Sequence, residues 1–283
     1  MKALKGLLLF GISVLVTACF DPPEFPINPE IDFEDIYFRE AKAPGQSDSL
    51  VLTISFRDGN GDLGLSATQI DPPFHDLDYY LASGGDTIPV EKYSLYTNFP
   101  QFIKVPPNTT GKLITVRTQK QSDYAYLPAY VDDFTSCTYY TYTSVFVNDP
   151  DKAIIDPATT TVDTVLSPQG YPKIHVLVDT FYYKKNPTYS NIEVEFWVKE
   201  GNGYKLFDWE KEYCTSSFNQ RFPTLSEGEG PLEGSLQYAM VTSGMKAIFS
   251  IKTMKLKIRI LDRSLNLSNV AETPEFTLDK IKR

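Results

Sequence analysis

Positive charge is scarce in this chain: 27 Lys and Arg stand against 36 Asp and Glu in 283 residues, a formal charge of −9, with only two histidines. No basic run interrupts that balance. Binding to phosphate backbones depends on a basic face that releases counterions, so the composition argues against nucleic acid as a partner. Glycine is also limited, 16 residues against 20 prolines, and none of it falls into a nucleotide-binding pattern. Long apolar runs are few: beyond the N-terminus no stretch of about 18 apolar residues occurs, so no permanent transmembrane helix is expected. No internal repeat is evident. Disorder is not expected over most of the chain, because hydrophobic residues make up 42% and aromatics 13%.

The N-terminus is the most informative stretch that is present. Lys2 and Lys5 precede an apolar run, Leu7 to Val16, that ends in small residues before a cysteine. This is the pattern of a secretion signal. The junction Val16-Thr17-Ala18-Cys19 resembles the bacterial lipobox, which implies cleavage before Cys19 and acylation of its thiol and new amine. Several acyl chains anchor stably where one would be marginal. The plainer alternative is an ordinary signal peptide with an incidental cysteine. Removal of residues 1–18 leaves 25 basic against 36 acidic residues, a balance of −11. Residues 19–30 are then a lipidated, Pro-rich tether, stiff and unable to pair as a central strand. Asp21 and Glu24 loosely match the acidic export signal of Bacteroidota surface lipoproteins, which favours the outer leaflet over a periplasm-facing anchor.

Beyond the tether the chain reads as strands broken by turn clusters. Leu50 to Phe56 places Leu52, Ile54 and Phe56 on one face. Ile192 to Val198 turns Val194, Phe196 and Val198 inward with Glu193 and Glu195 outward, and Lys255 to Leu261 separates Leu256, Ile258 and Ile260 from Lys255, Lys257 and Arg259. Further strands are expected at 31–38, 113–118, 138–147, 174–183, 204–213 and 272–278, with loops at 149–161 and 226–233. The spacing predicts an all-β, antiparallel sandwich over 31–283.

Two passages near opposite ends carry a resemblance. One is Ser55-Phe56-Arg57-Asp58-Gly59-Asn60-Gly61-Asp62-Leu63-Gly64-Leu65, the other Ile260-Leu261-Asp262-Arg263-Ser264-Leu265-Asn266-Leu267-Ser268-Asn269-Val270. With the lipobox they resemble a group of uncharacterised Bacteroidota outer-membrane lipoproteins that combine a DGDGDLG-type loop with a D-R-x-x-N-x-SN segment between the last two strands. The resemblance covers about a quarter of the chain and implies an immunoglobulin-like sandwich without an established activity. Here Asn60 replaces the second acid of the loop. The intervening region is longer than a plain seven-strand domain needs, which predicts an inserted β subdomain at about 86–214.

Asp58, Asn60 and Asp62 offer oxygen donors at alternate positions, the spacing by which a tight loop turns hard ligands toward calcium. The match to an EF-hand is incomplete, since Leu63 stands at the glycine position and Gln69 at that of the bidentate acid. A glycine-rich turn in which Asp and Asn bond their own backbone is the competing reading. If Leu50–Phe56 and Lys255–Leu261 are the second and penultimate strands of the sandwich, both run to the same end. Asp262 and Asn266 then join Asp58, Asn60 and Asp62 at one shared site for structural calcium, with the Asp62 and Asp262 carboxylates within about 10 Å.

Cys137 and Cys214 are expected to form a disulfide in an oxidising compartment, two buried thiols being the alternative. A cysteine nucleophile needs a basic partner, yet His75 lies in a predicted loop and His175 in a predicted strand. Paired acids such as Glu193 with Glu195 read as solvated faces, and the aromatic clusters, Tyr79-Tyr80 and Trp197, Phe207 and Trp209 among them, divide between core and contact surface. Ser49, Thr87 and Thr164 each follow Asp and precede an apolar residue, a triplet that resembles the Bacteroidota O-glycosylation acceptor and requires an exposed turn. The functional expectation is a non-enzymatic, lipid-anchored subunit of an outer-membrane β-barrel machine for nutrient uptake or barrel assembly. A surface glycan-binding lipoprotein is the alternative.

Overall fold

The computed structural model describes residues 23–43, 45–81, 87–89, 91–93, 102–104, 113–115, 127, 142–144, 146–147, 161–165, 174–178, 180–213, 217–226, 228, 230–242 and 244–283. The fold is all-β and antiparallel in its core. Strand β1 is Glu30–Arg39 and β2 Asp48–Asp58. An inserted run follows: β3 Leu77–Tyr80, β4 Thr87–Pro89, β5 Glu91–Tyr93, β6 Phe102–Lys104, β7 Tyr142–Ser144, β8 Phe146–Val147, β9 Thr161–Val165, β10 Ile174–Val178 and β11 Thr180–Lys185. The chain then gives β12 Ile192–Glu200, β13 Gly203–Phe207, α1 Trp209–Tyr213, β14 Leu232–Thr242, α2 Met245–Phe249, β15 Met254–Ile260 and β16 Ala271–Glu272.

One sheet has the order β1-β2-β14, the other β13-β12-β15-β16, and every pairing in them is antiparallel. In immunoglobulin lettering this is A-B-E packed on C′-C-F-G. The alternation read from the sequence supplies the core: Leu52, Ile54 and Phe56 face Val194, Phe196 and Val198 of β12 and Leu256, Ile258 and Ile260 of β15, all buried. At one end of this core Trp209 and Phe249 close over Phe196. Phe249 stacks on Phe196 at 5.7 Å and 11°, and Trp209 meets Phe196, Phe218 and Phe249 edge-on at 5.5, 4.9 and 5.3 Å. Each such pair adds about 0.5–1.5 kcal/mol beyond the area it buries. The free edge of β1 is covered by the C-terminus: Arg283 donates its amide to the Phe38 carbonyl and its guanidinium to both oxygens of Asp35. That leaves less open ladder for edge-to-edge pairing.

The large insertion stands between β2 and β12, where two strands of a plain sandwich would be joined by a loop. Among the described residues it forms separate small sheets, β4-β3-β11-β7, β10-β9 and β5-β6-β8, the last containing a parallel pair. The expected boundaries of 86–214 are thus shifted. The insertion leaves after Gly64, and Ile192–Phe207 belongs to the sandwich because β12 pairs with β15 from Ile192 to Val198 and with β13 from Phe196 to Glu200.

Three sequence expectations fail locally. The strand expected at 204–213 stops at Phe207, because Asp208 caps a helical turn by accepting from the amides of Glu210 and Lys211. The loop expected through Glu233 conceals the start of β14, which pairs with β2 from Leu232 to Thr242 and turns Leu236, Tyr238 and Met240 into the core. The strand expected at 272–278 is two residues long, ended by Pro274 and followed by a 3-10 turn at Leu278–Ile281.

Candidate metal centre

Asp58 and Asp262 continue the inward parity of their strands one step beyond the apolar core. In β2 the inward residues are Leu50, Leu52, Ile54, Phe56 and then Asp58; in β15 they are Met254, Leu256, Ile258, Ile260 and then Asp262. Since a strand alternates faces at every residue, both carboxyl groups enter the space between the sheets, and both are fully buried. One oxygen from each of Asp58, Asp62 and Asp262 lies within 4.8 Å of the others. The expected approach of Asp62 to Asp262 is therefore present, and closer than the sequence argument required.

The two motifs are laced together by their backbones. Leu63 bridges Asp262, and the Arg263 amide donates to the Asp62 carbonyl at 3.2 Å. The Asp62 amide donates to Asp58 Oδ2 at 3.0 Å, and Ser264 Oγ donates to Asp62 Oδ2 at 2.6 Å. Asn266 has a different role from the ligand expected of it. Its amide and its Nδ2 donate to the two oxygens of Asp262, at 2.6 and 2.8 Å, so that it positions a carboxylate. Leu265 is held at a φ of 66°, which costs a non-glycine residue about 1–2 kcal/mol, and its amide bond to the Asp262 carbonyl closes the same turn. Ser268 and Asn269 complete the segment. Ser268 Oγ accepts from the Ile260 amide, and the Asn269 side chain both accepts from and donates to the backbone of Ile31 at 2.8 Å, stitching β1 to the opposite sheet.

Gly61 and Gly64 are required by shape. Their φ values are 70° and 93°, and a Cβ would stand 2.3 Å from the Gly230 carbonyl oxygen in the first case and 2.2 Å from that of Pro223 in the second. The segment seated against Gly64 also holds the stems of the insertion. The Phe222 carbonyl accepts from the Leu65 amide and from Asn191 Nδ2, while its amide donates to Asn191 Oδ1.

The electrostatics are unbalanced. Burial, followed by the charge of Asp62 and then that of Asp262, pushes the Asp58 carboxyl up to about 6 against the pull of backbone donors at Asp62 and Gly61. Burial also raises Asp262, opposed by the two bonds from Asn266. Among the described residues no Lys, Arg or His is ion-paired with these acids. Three buried oxygens, Oδ1 of Asp58, of Asn60 and of Asp62, have no hydrogen-bond donor. The self-satisfied glycine-rich turn accounts for part of the loop only: the Asp58–Asp62 bond is of that type, and these three oxygens are left over.

Other candidate residues lie elsewhere. Cys19, Cys137 and Cys214 fall outside the described residues. The glycosylation triplets do not occupy the turns that modification was expected to need: Ser49 is half-buried in the central strand β2, paired on both sides, Thr87 opens β4 and Thr164 is within β9. His75 is a buried brace at the base of the insertion, its Nε2 2.8 Å from Asp78 Oδ1 and its carbonyl accepting from Asn186 Nδ2. Ser264, Asn191 and Phe222 were missed. Ser264 was visible as the polar residue two places after Asp262, whereas nothing local marks Asn191 or Phe222. Among the described residues no helix is long and apolar enough to cross a membrane. Comparisons with protein-family models, curated proteins and solved structures returned no match.

Proposed function

We propose that the chain is a non-enzymatic outer-membrane lipoprotein, anchored through Cys19, that serves as an accessory or binding subunit of an outer-membrane β-barrel complex. The observation that carries this reading is the coincidence of tether and insertion at one end of the sandwich. The Gly59 amide donates to the Pro26 carbonyl at 2.8 Å, so the tether joins the folded body beside the loop from which the insertion departs. Seven chain steps separate Cys19 from Pro26. At up to 3.6 Å each, they span at most about 25 Å. An acylated Cys19 would hold the roots of the inserted sheets close to the membrane, where a membrane-embedded partner is met first.

For the glycan-binding alternative, a groove of about 480 Å³ among the described residues lies on the outer face of β12, β15 and β16, lined by Glu193, Glu195, Trp197, Lys257, Arg259 and Glu272. The Lys257 ammonium already stands 4.3 Å from the centre of the Trp197 ring, which takes up a face that a sugar would stack on. Gentle solubilisation of the native outer membrane followed by affinity capture of this chain tests the proposal. A stoichiometric barrel protein, lost when residues 66–189 are replaced by a short linker, is the expected result. Recovery of the intact lipoprotein alone, or with a partner indifferent to the insertion, would refute it.

A further inference from the structure

We propose that Asp58, Asn60, Asp62 and Asp262 bind a calcium ion that fastens the root of the insertion to the turn between the last two strands. This inference is independent of the partner and of the lipid anchor. It rests on two separate observations. The first is distance: oxygens 2.3–2.6 Å from one calcium ion stand no farther apart than about 5 Å, and the trio lies inside that limit at 4.8 Å. The second is the set of orphaned acceptors. Asp58 is fully buried, and its Oδ1, like that of Asn60 and Asp62, has no donor. A buried acceptor without a partner costs about 1–3 kcal/mol and more when charged, so this grouping calls for a cation or donor to meet it.

The chemistry of the donors selects the ion. All are oxygens, with no sulfur or imidazole among them, which disfavours zinc and copper and leaves hard cations. Magnesium dehydrates reluctantly and prefers to keep several waters, whereas calcium accepts a crowded shell of protein oxygens in flexible geometry. Three carboxylates against a divalent ion leave one excess negative charge. The donors from Ser264, Asn266 and the Asp62 amide are arranged on the remaining lone pairs, so the acids are oriented by bonds that do not use up the orphaned oxygens. The backbone bonds between Leu63, Asp262 and Arg263 hold the two segments together before any ion arrives.

The test is thermal unfolding of the full chain, stripped with EDTA and titrated with calcium alone or magnesium alone. At calcium about a hundredfold above Kd, the melting temperature is expected to rise by roughly 5 °C or more. Asp58→Asn removes one buried charge and keeps the shape. It should melt no lower than the wild type in EDTA and should lose the calcium shift. Asp62→Asn changes a half-buried residue, and if the first variant fails to fold this second one still reads the site through a calcium affinity lowered at least tenfold. No shift up to about 10 mM calcium, beyond the range of weak extracellular modules, would overturn the proposal. So would a shift of equal size in both variants, or an equal response to magnesium.

Discussion

Replacement of Gly64 by alanine separates two costs that are usually mixed. The positive φ of 93° disfavours any L-residue, and the added Cβ would lie 2.2 Å from the Pro223 carbonyl oxygen and 2.6 Å from Thr224 Cα. Both obstacles are backbone atoms of a segment that is itself pinned by the Leu65–Phe222 and Leu225–Leu63 hydrogen bonds, so neither can step aside cheaply. The conformational part costs about 1–2 kcal/mol and the overpacking about 1–3 kcal/mol, giving roughly 2–5 kcal/mol in all. Gly201 provides the control, because its φ is 58° and nothing lies within 4 Å of its Cβ position. Gly201→Ala should cost about 1–2 kcal/mol, the conformational part alone. Urea unfolding followed by tryptophan fluorescence measures both, with Trp209 reporting on the core. Equal destabilisation by the two substitutions would refute the seating of the loop on Pro223 and Thr224.

Four further outcomes are expected. Asn191→Ala removes the acceptor of the buried Phe222 amide and should cost about 1–3 kcal/mol, with hydrogen exchange accelerated at Leu65 and Ile192; protection unchanged at both amides would show that Asn191 does not clamp the stems. Phe249→Ala empties the fully buried centre of the aromatic end and should cost about 3–5 kcal/mol by chemical denaturation, while a loss below about 1 kcal/mol would mean that the ring cluster is loosely packed. Hydrogen bonds from Lys246 and Lys282 hold the Glu40 carboxyl down to about 2 from its ordinary 4.5. A lowered folded value means that its contribution is complete above pH 4.5 and is lost as pH falls toward 2, so NMR titration of Glu40 should show a low midpoint that rises in Lys246→Ala and in Lys282→Ala. Finally, Cys137 and Cys214 should resist thiol alkylation in the denatured, unreduced protein and label only after reduction, and labelling without reductant would remove the disulfide.

Legibility of this fold from sequence depended on whether a strand was clean in period and free of competing signals. β2, β12 and β15 keep an apolar residue at every second position despite the outward Val51 and Trp197, and their inward faces were readable residue by residue. β14 alternates equally well through Leu236, Tyr238 and Met240, but it opens at Leu232-Glu233-Gly234 directly after a run of Gly, Glu and Pro, and the turn chemistry obscured its start. The segment after Phe207 shows the opposite error. Its aromatic residues have strand propensity, and a single capping side chain, Asp208, is enough to convert them to a helical turn. The role of Asn266 could not be read at all. An Asn in an acidic loop is a ligand or a donor according to which way its amide faces, and that depends on a φ of 66° at Leu265 that no propensity predicts.

The candidate centre follows from a rule simpler than motif matching. Where an antiparallel sandwich ends, the inward-facing position after the last apolar residue has no facing sheet to bury it, and a polar residue there is usually the first to reach water. In β2 and β15 that position is an aspartate in both cases, and the two strands end at the same end of the sandwich. Water does not reach either one, because the loop from Gly59 to Gly64 folds back over them and is locked down by the tether on one side and by the 222–225 segment on the other. The enclosure that makes the acids costly is therefore built by the same bonds that fix the exit and return of the insertion. A cation that relieves this cost also tightens a root that these backbone bonds already hold. Any partner that recognises the ordered root is linked to the ion by mass action, each raising the affinity for the other by the same factor.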